Sequence, residues 1–485
     1  MEPPAGSPVD QVGEQVAPPS VGVRRWWLDP VFLVPALITL VIGAWDLGTP
    51  SYWRDEAATL DAEARSVPAL LRMLTDVDAV HGAYYLLLWP IVHTFGTAEV
   101  VLRLPSLLAM TAAAAGIAAL GRRLHSPRAG LLAGLVFAVL PQVSRYGQEG
   151  RSYAFVVACA VLASYVLVRA VDEPGRRWWP GYGCAVAALG LINLFGLLLL
   201  VGHAVFLLAG HRALLRRWLV TAASACLPAL PVVVLSWQQR DQLGWLTAPD
   251  ATATGDLIVW LAGSVGSVAL VSVLIGLGLR SRAGAATAWL ALPWLVAPPA
   301  LLLSVTEVAM PIYVQRYVAY CLPALALPVG VGLAGIALAP RAIALLLIAG
   351  LGLPTQLAQR QVDGHGDDIR AAATVLARHE LPGDGVLYDC PTCHYHDLPR
   401  EFASGYPAAF GPLDDLALAR SPSASGTLRG IETDQASLTR RLDGVSRVWL
   451  VETGGTRVPG PLVDAGLHLA AAYSAGNIAV VLYQR

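Results

Sequence analysis

The sequence predicts a polytopic α-helical membrane protein with a small external α/β domain at its C-terminal end. Three observations predict it. Apolar residues fill 55% of the 485 positions and charged residues only 14%, with a mean hydropathy of +0.57. A soluble chain of this length needs far more polar surface than that. Arginine clusters recur between the apolar runs, as they do in loops on the cytoplasmic side. After Leu357 the apolar runs stop and short β-branched stretches replace them. All 33 basic residues are arginine, and the net charge of −1 gives no basis for nucleic-acid binding.

Residues 1–22 are rich in Pro, Gly and Val without an apolar core, which reads as a disordered cytoplasmic tail rather than a signal peptide. The membrane unit then runs over 23–357, its first helix acting as an uncleaved anchor. Inside loops are marked by Arg24-Arg25, Arg122-Arg123 with Arg128, Arg176-Arg177, Arg212 with Arg216-Arg217, Arg280 with Arg282, and Arg341. They delimit spans near 31–48, 100–120, 129–144, 153–171, 181–194, 196–211, 217–236, 256–278, 284–304, 317–337 and 341–357, about eleven crossings. The two around Asn193-Leu194-Phe195-Gly196 are short for the roughly 20 residues a span requires, and read equally as one helix with a re-entrant turn. A crossing at 81–95 would force Arg122, Arg123 and Arg128 outside, so 49–99 is read as one external loop. Its helices, near 55–65, 68–76 and 83–95, are expected at the membrane interface, where Trp53, Tyr84, Tyr85 and Trp89 suit the depth. Residues 358–485 read as the external domain, with a helix over 368–379 and strands over 385–388, 445–451 and 477–483.

In this register the unusual polar residues gather on the outer face: Trp53-Arg54-Asp55-Glu56-Ala57, the stretch 144–151, the stretch 238–242, and Tyr313 to Tyr317. Ionisable groups kept at a membrane boundary need solvent or a function. The order of these motifs resembles the membrane-embedded glycosyltransferases that use polyprenyl-phosphate sugars, the GT-C superfamily. Within it the likeness is to the branch of protein O-mannosyltransferases and the aminoarabinose transferases of lipid A. The resemblance is carried by Trp53-Arg54-Asp55-Glu56-Ala57, His81-Gly82-Ala83-Tyr84-Tyr85, Leu102-Arg103-Leu104-Pro105-Ser106, Tyr146-Gly147-Gln148-Glu149 with Arg151-Ser152-Tyr153, and Arg316-Tyr317. It covers roughly the first 150 residues well and the rest of the membrane unit loosely. Where that family often has Pro after the loop histidine, this chain has Gly82-Ala83.

The resemblance implies a transferase that moves a monosaccharide, mannose above all, from a polyprenyl-phosphate donor to a hydroxyl acceptor outside the plasma membrane, and it assigns the general base to Asp55. The departing phosphate needs cations rather than an acid, and the planar fork of arginine suits it, so Arg151, Arg316 and Arg54 are the phosphate candidates. One carboxylate with phosphate departure implies inversion. His81, Tyr84, Glu149 and Tyr317 complete the substrate-binding set. Metal dependence stays open: Glu149 and His81, with Asp55, could share a divalent ion. Each residue has a plainer reading. Asp55 also suits a helix N-cap, and Glu56 a solvated neighbour at the helix dipole. Glu149 would pair with Arg145 or Arg151, and His81 would cap a helix. Arg103 would snorkel at a helix end, and His203 would be a hydrogen-bonded core residue. Arg240 and Gln242 beside Trp245 read as a donor or acceptor rim, and equally as an ordinary interfacial loop. Cys390-Pro391-Thr392-Cys393-His394, with His396, fits a disulfide, then a metal site, then haem attachment, in that order. Other classes also remain open: a carrier or flippase of lipid-linked glycans, which would put its polar path near the midplane in matching halves, or a non-catalytic envelope-assembly subunit.

Overall fold

The structure is a computed structural model describing residues 29–173, 175, 177–246, 248–280, 284–389, 399–454 and 460–485, apart from the Trp245 side chain. The expected tail over 1–22, Arg24-Arg25, Arg176, Arg282 and the Cys390–His396 cluster lie outside the described residues.

The first helix, α1 (Pro30–Ala44), starts at an Asp29 side chain that accepts the Val31 amide at 3.0 Å, with Pro at the first helical position. Three helices follow in the loop after it: α2 (Arg54–Glu63), α3 (Val67–Asp76) and α4 (Gly82–Phe95). Next come α5 (Glu99–Leu124) and the pair α6 (Pro127–Val139) and α7 (Pro141–Gly147), bent by 66° where Pro141 interrupts the run. After α8 (Tyr153–Asp172) and α9 (Trp178–Ile192), Asn193 breaks the helix by accepting the Phe195 amide, and α10 (Leu199–Gly210) begins after one 3₁₀ turn. Then α11 (Leu215–Cys226) and α12 (Leu230–Gln238) form one apolar run. The pair α13 (Ala253–Ala262) and α14 (Val265–Leu279) is bent by 75° at Gly263, whose φ of +90° suits glycine. The membrane unit closes with α15 (Gly284–Val308), α16 (Leu322–Ala334) and α17 (Leu338–Ala358). Among the described residues six helices are long and apolar enough to cross a membrane, or up to eight if each bent pair is one span. Three shorter apolar helices, Pro30–Ala44, Trp178–Ile192 and Leu194–Gly210, fall where the sequence placed spans.

The sequence of α16 explains why this helix sits at the centre. Leu322 to Leu333 are all buried, and its small residues admit neighbouring backbones. Gly330 lies against Ala133 of α6, and Gly332 against the Leu274 carbonyl of α14. By contrast α17 and the α11–α12 run are apolar and mostly exposed, as lipid-facing helices are.

The C-terminal part begins with α18 (Ile369–His379), capped by Asp368 on the Ala371 amide. Its five-stranded sheet is built from β1 (Gly385–Asp389), β2 (Asp414–Asp415), β5 (Arg447–Thr453), β6 (His468–Ala475) and β7 (Ile478–Gln484), while β3 (Leu418–Arg420) and β4 (Ile431–Glu432) form a separate ribbon. The order is β2-β1-β5-β7-β6, parallel from β2 to β5 and antiparallel beyond. The three strands expected from β-branched runs are present. Strand β6 was not expected: its Ala-rich, largely exposed sequence carries no strand period.

One apolar core joins this sheet to the loop that carries α2, α3 and α4. Tyr52, Leu60, Leu70 and Tyr85 share it with Ile369, Phe402 and Trp449. Two expectations are corrected here. Tyr84 and Tyr85, expected at interface depth, are at most 1% exposed. Likewise α2 is not a helix resting on lipid, because it is buried from Glu56 to Glu63 between the bundle and the C-terminal part.

Candidate functional site

Trp53 takes the N-cap position of α2 and makes no side-chain cap. Asp55 is therefore the second helical residue and not the cap, which corrects the plainer reading of it. Its carboxylate is turned toward two guanidinium groups, Arg316 Nη2 at 3.6 Å and Arg151 Nε at 3.9 Å. Neither approach is close enough for a hydrogen bond, so the carboxylate is held by charge and not locked. Burial pushes its pKa up, but the surrounding positive groups, Arg316 and Arg151 first among them, together outweigh that and hold it below the ordinary carboxylate value. Asp55 is thus ionised and partly accessible, its side chain 23% exposed.

Arg151 is positioned from four sides. Its Nη1 donates to the Asp55 carbonyl (3.3 Å), Thr59 Oγ1 (3.1 Å) and Tyr85 Oη (3.3 Å), and its Nη2 donates to His81 Nε2 (2.8 Å). Its Nε has no hydrogen-bond partner among the described residues. Because a guanidinium only donates, His81 Nε2 must accept, which places the imidazole proton on Nδ1. Burial and the neighbouring Arg151 push His81 down to about 4, so the ring is neutral at physiological pH. Behind it Tyr85 Oη donates to Asp78, a residue at φ +60°. The Asp78 and Ala79 amides donate in turn to the Gln242 and Gln239 carboxamides. Gln242 therefore does border the site, whereas Arg240 turns away to the Trp237 ring and carbonyl.

Arg316 lies over the Trp53 ring at 5.7 Å, and Arg145 over the same ring at 5.6 Å. Tyr317 packs on Phe195 and Tyr153. Tyr84 stands behind Tyr85 against Phe155, its hydroxyl without a partner among the described residues. A cavity of about 370 Å³ opens beside Arg316, bordered also by Tyr146, Asp250, Asp256, Tyr313 and Gln315. Glu149 is 1% exposed and pairs with Arg145 at 3.6 Å, not with Arg151. Burial, only partly offset by Arg145, raises its carboxyl to about 7. Of the residues named for a divalent ion, Glu149 thus faces Arg145 and His81 faces Arg151. Among the described residues no group of three or more His, Cys, Asp or Glu is arranged to hold a metal.

Three further expectations are corrected. Glu56 is not solvated and Arg103 does not snorkel: both are 0% exposed and form a two-pronged ion pair at 2.9 and 2.7 Å. Arg103 also donates to the carbonyls of Leu47, Pro50 and Ser51, and Glu56 Oε1 accepts the Gly150 amide at 2.7 Å. The pair ties α2, α5 and the link before Arg151 together, so full burial is compensated by full hydrogen bonding. Arg54 is drawn to the C-terminal part, donating to Thr453 Oγ1 at 3.1 Å and lying over Phe402. The core reading of His203 holds, as it bonds Ser164 and Tyr182 at 0% exposure. Sequence reading missed Glu63, whose buried carboxyl has no hydrogen-bond partner among the described residues and is raised to about 8 by burial. Its place on the Asp55–Thr59–Glu63 helical face was the available signal.

Residues 83–237 match the family described as dolichyl-phosphate-mannose-protein mannosyltransferase. No curated protein matches the chain in sequence. Among solved structures, ArnT from Cupriavidus metallidurans bound to undecaprenyl phosphate is similar over 93% of this chain and 97% of its own, at 13% identity and a TM-score of 0.63. Its apo state is similar at 12% identity, a TM-score of 0.62 and the same coverage. The chain therefore has the ArnT fold, and both comparisons agree with the membrane-glycosyltransferase resemblance carried by the motif order.

Proposed function

We propose that this protein is an inverting glycosyltransferase of the plasma membrane that takes a monosaccharide, mannose in the first place, from a polyprenyl phosphate at the external face. The single observation that carries the reading is an ionised Asp55 held between two arginines, neither of which is hydrogen-bonded to it. The family match over 83–237 and the undecaprenyl phosphate bound by ArnT support the donor class.

In the proposed step the acceptor hydroxyl gives its proton to Asp55 while its oxygen attacks the anomeric carbon. The bond from that carbon to the phosphate oxygen breaks, and its electron pair leaves on the polyprenyl phosphate. Arg151 and Arg316 bind that phosphate. Arg151 is already oriented by His81, Thr59 and Tyr85. A low-pKa carboxylate is a weak base, so the same two arginines would restrain Asp55 in the empty site. Phosphate arriving between them adds negative charge beside Asp55 and raises its basicity only when donor is present. The cavity beside Arg316 is the place for the sugar ring, with Tyr146 and Tyr313 as its aromatic walls.

The test uses labelled polyprenyl-phosphomannose and acceptor-rich membranes with wild type and Asp55→Asn. Transfer should fall by about 10²–10⁴-fold, the usual contribution of a general base. Equal transfer by the two proteins removes Asp55 from the mechanism.

A further inference from the structure

Helix α2 carries the proposed base in its first turn but lacks a cap of its own, since Trp53 has no side-chain acceptor to offer. The first helical amide, Arg54 N–H, donates instead to Asp367 Oδ2 at 2.9 Å. Asp367 is 7% exposed, and its other oxygen accepts Asn477 Nδ2 at 2.7 Å from the β6–β7 turn. The Arg54 side chain reaches the end of β5 at Thr453. Just before α2, the Ser51 amide donates to the Val362 carbonyl at 2.8 Å, and the Arg370 amide donates to Ser51 Oγ at 2.9 Å. The Arg370 guanidinium gathers the carbonyls of Gly48, Thr49 and Pro50 and pairs with Glu99. At the other end of α2, Ser404 Oγ donates to Asp61, and Arg65 donates to the Thr427 carbonyl at 2.7 Å.

Both ends of the helix that presents Asp55 are thus held by chain more than 300 residues away. We infer that the C-terminal part is a structural component of the active site, and that Asp367 is a positioning residue that fixes the first turn of α2, and through it Asp55, by capping the Arg54 amide. A helix whose first amides are unserved frays from that end. Fraying here would turn the Asp55 carboxylate away from Arg151 and Arg316. The inference rests on Asp55 being the reacting carboxylate for its consequence in catalysis, but the cap itself is tested independently of that.

The experiment uses the full-length protein in detergent or nanodiscs, as wild type, Asp367→Ala, Asp367→Asn and Asn477→Ala. Hydrogen exchange is read by mass spectrometry on peptides across 51–63. In Asp367→Ala the first-turn amides of α2 should exchange faster by on the order of tenfold, the effect of losing a helix cap, while α16 keeps its protection. Asp367→Asn retains an oxygen for Arg54, and the Asn477 carboxamide can turn over to accept from the new amide, so it should stay near wild type. If Asp367→Ala does not accumulate, Asn477→Ala, which frees only one Asp367 oxygen, should still accelerate exchange severalfold. Binding of undecaprenyl phosphate should be unchanged in all variants. Turnover from polyprenyl-phosphomannose should fall with the exchange effect, at constant KM for the donor and with recovery in Asp367→Asn. Wild-type protection of 51–63 in Asp367→Ala, or in Asn477→Ala where only that variant accumulates, overturns the inference. So does turnover lost equally in Asp367→Asn and Asp367→Ala. If wild type transfers no sugar, the reaction proposed above fails, and the exchange result alone decides the role of Asp367.

Discussion

The strongest quantitative consequence concerns Glu56, the carboxylate next to the proposed base. Glu56→Ala would leave the Arg103 guanidinium at 0% exposure with three carbonyl partners and no counter-charge. Breaking a buried ion pair from one side costs about 3–5 kcal/mol, because the remaining charge stays desolvated. The Gly150 amide loses its acceptor as well, but the two losses share one site and do not simply add. Set against the roughly 5–15 kcal/mol by which folded domains are stable, this is a large fraction. The assay is SDS- or heat-induced unfolding of the purified protein, followed by tryptophan fluorescence. Glu56→Leu combined with Arg103→Met removes both charges and should recover most of the loss, since an apolar replacement of a buried pair is often neutral. A loss below about 1 kcal/mol in Glu56→Ala, the range of an exposed salt bridge, would refute the reasoning. So would a double variant no better than the single one.

Glu149→Gln should change how stability depends on pH. Burial first, opposed by Arg145, lifts this carboxyl from its ordinary value to about 7. Between the ordinary value and about 7 the unfolded chain has lost the proton and the folded chain keeps it, so wild-type stability falls as pH rises through that window. The variant should gain on wild type across the window, by at most about 3 kcal/mol, and hold a constant lead above it; parallel unfolding profiles would contradict this. In the bundle, a Cβ at Gly332 would meet the Leu274 carbonyl oxygen at 2.0 Å, a contact with backbone that cannot rotate away. Gly332→Ala should therefore cost about 1–3 kcal/mol or more by overpacking. Gly350→Ala, with nothing within 4 Å, should be neutral or stabilising by up to about 1 kcal/mol in the same unfolding assay.

The alternation of apolar runs and arginine clusters was readable because bilayer cost acts on each segment separately. A run of Leu, Val and Ala declares itself without reference to any partner. For the same reason strands β5 and β7 were legible from β-branched residues, while β6, Ala-rich and exposed at the sheet edge, was not. Asp55, Arg151 and Arg316 were identifiable as charged residues on the expected outer face, and the fold brings each arginine within 4 Å of the Asp55 carboxylate. The roles of Glu56, Arg103 and Arg54 were misread because their environments are made by distant chain. Glu56 meets a partner 47 positions away, and the Arg54 amide meets one 313 positions away.

The sequence by itself therefore determined a membrane-embedded helical bundle, and it set the expectation of one outer charged face with Asp55 as its carboxylate of interest. Each of these follows from transfer energies and residue chemistry that are local. Only the tertiary structure decided which charges face Asp55 and which are spent on holding its helix. It also decided that the C-terminal part reaches back to cap that helix. Those outcomes depend on which desolvated groups meet, and a buried charge takes its meaning from the partner that compensates it.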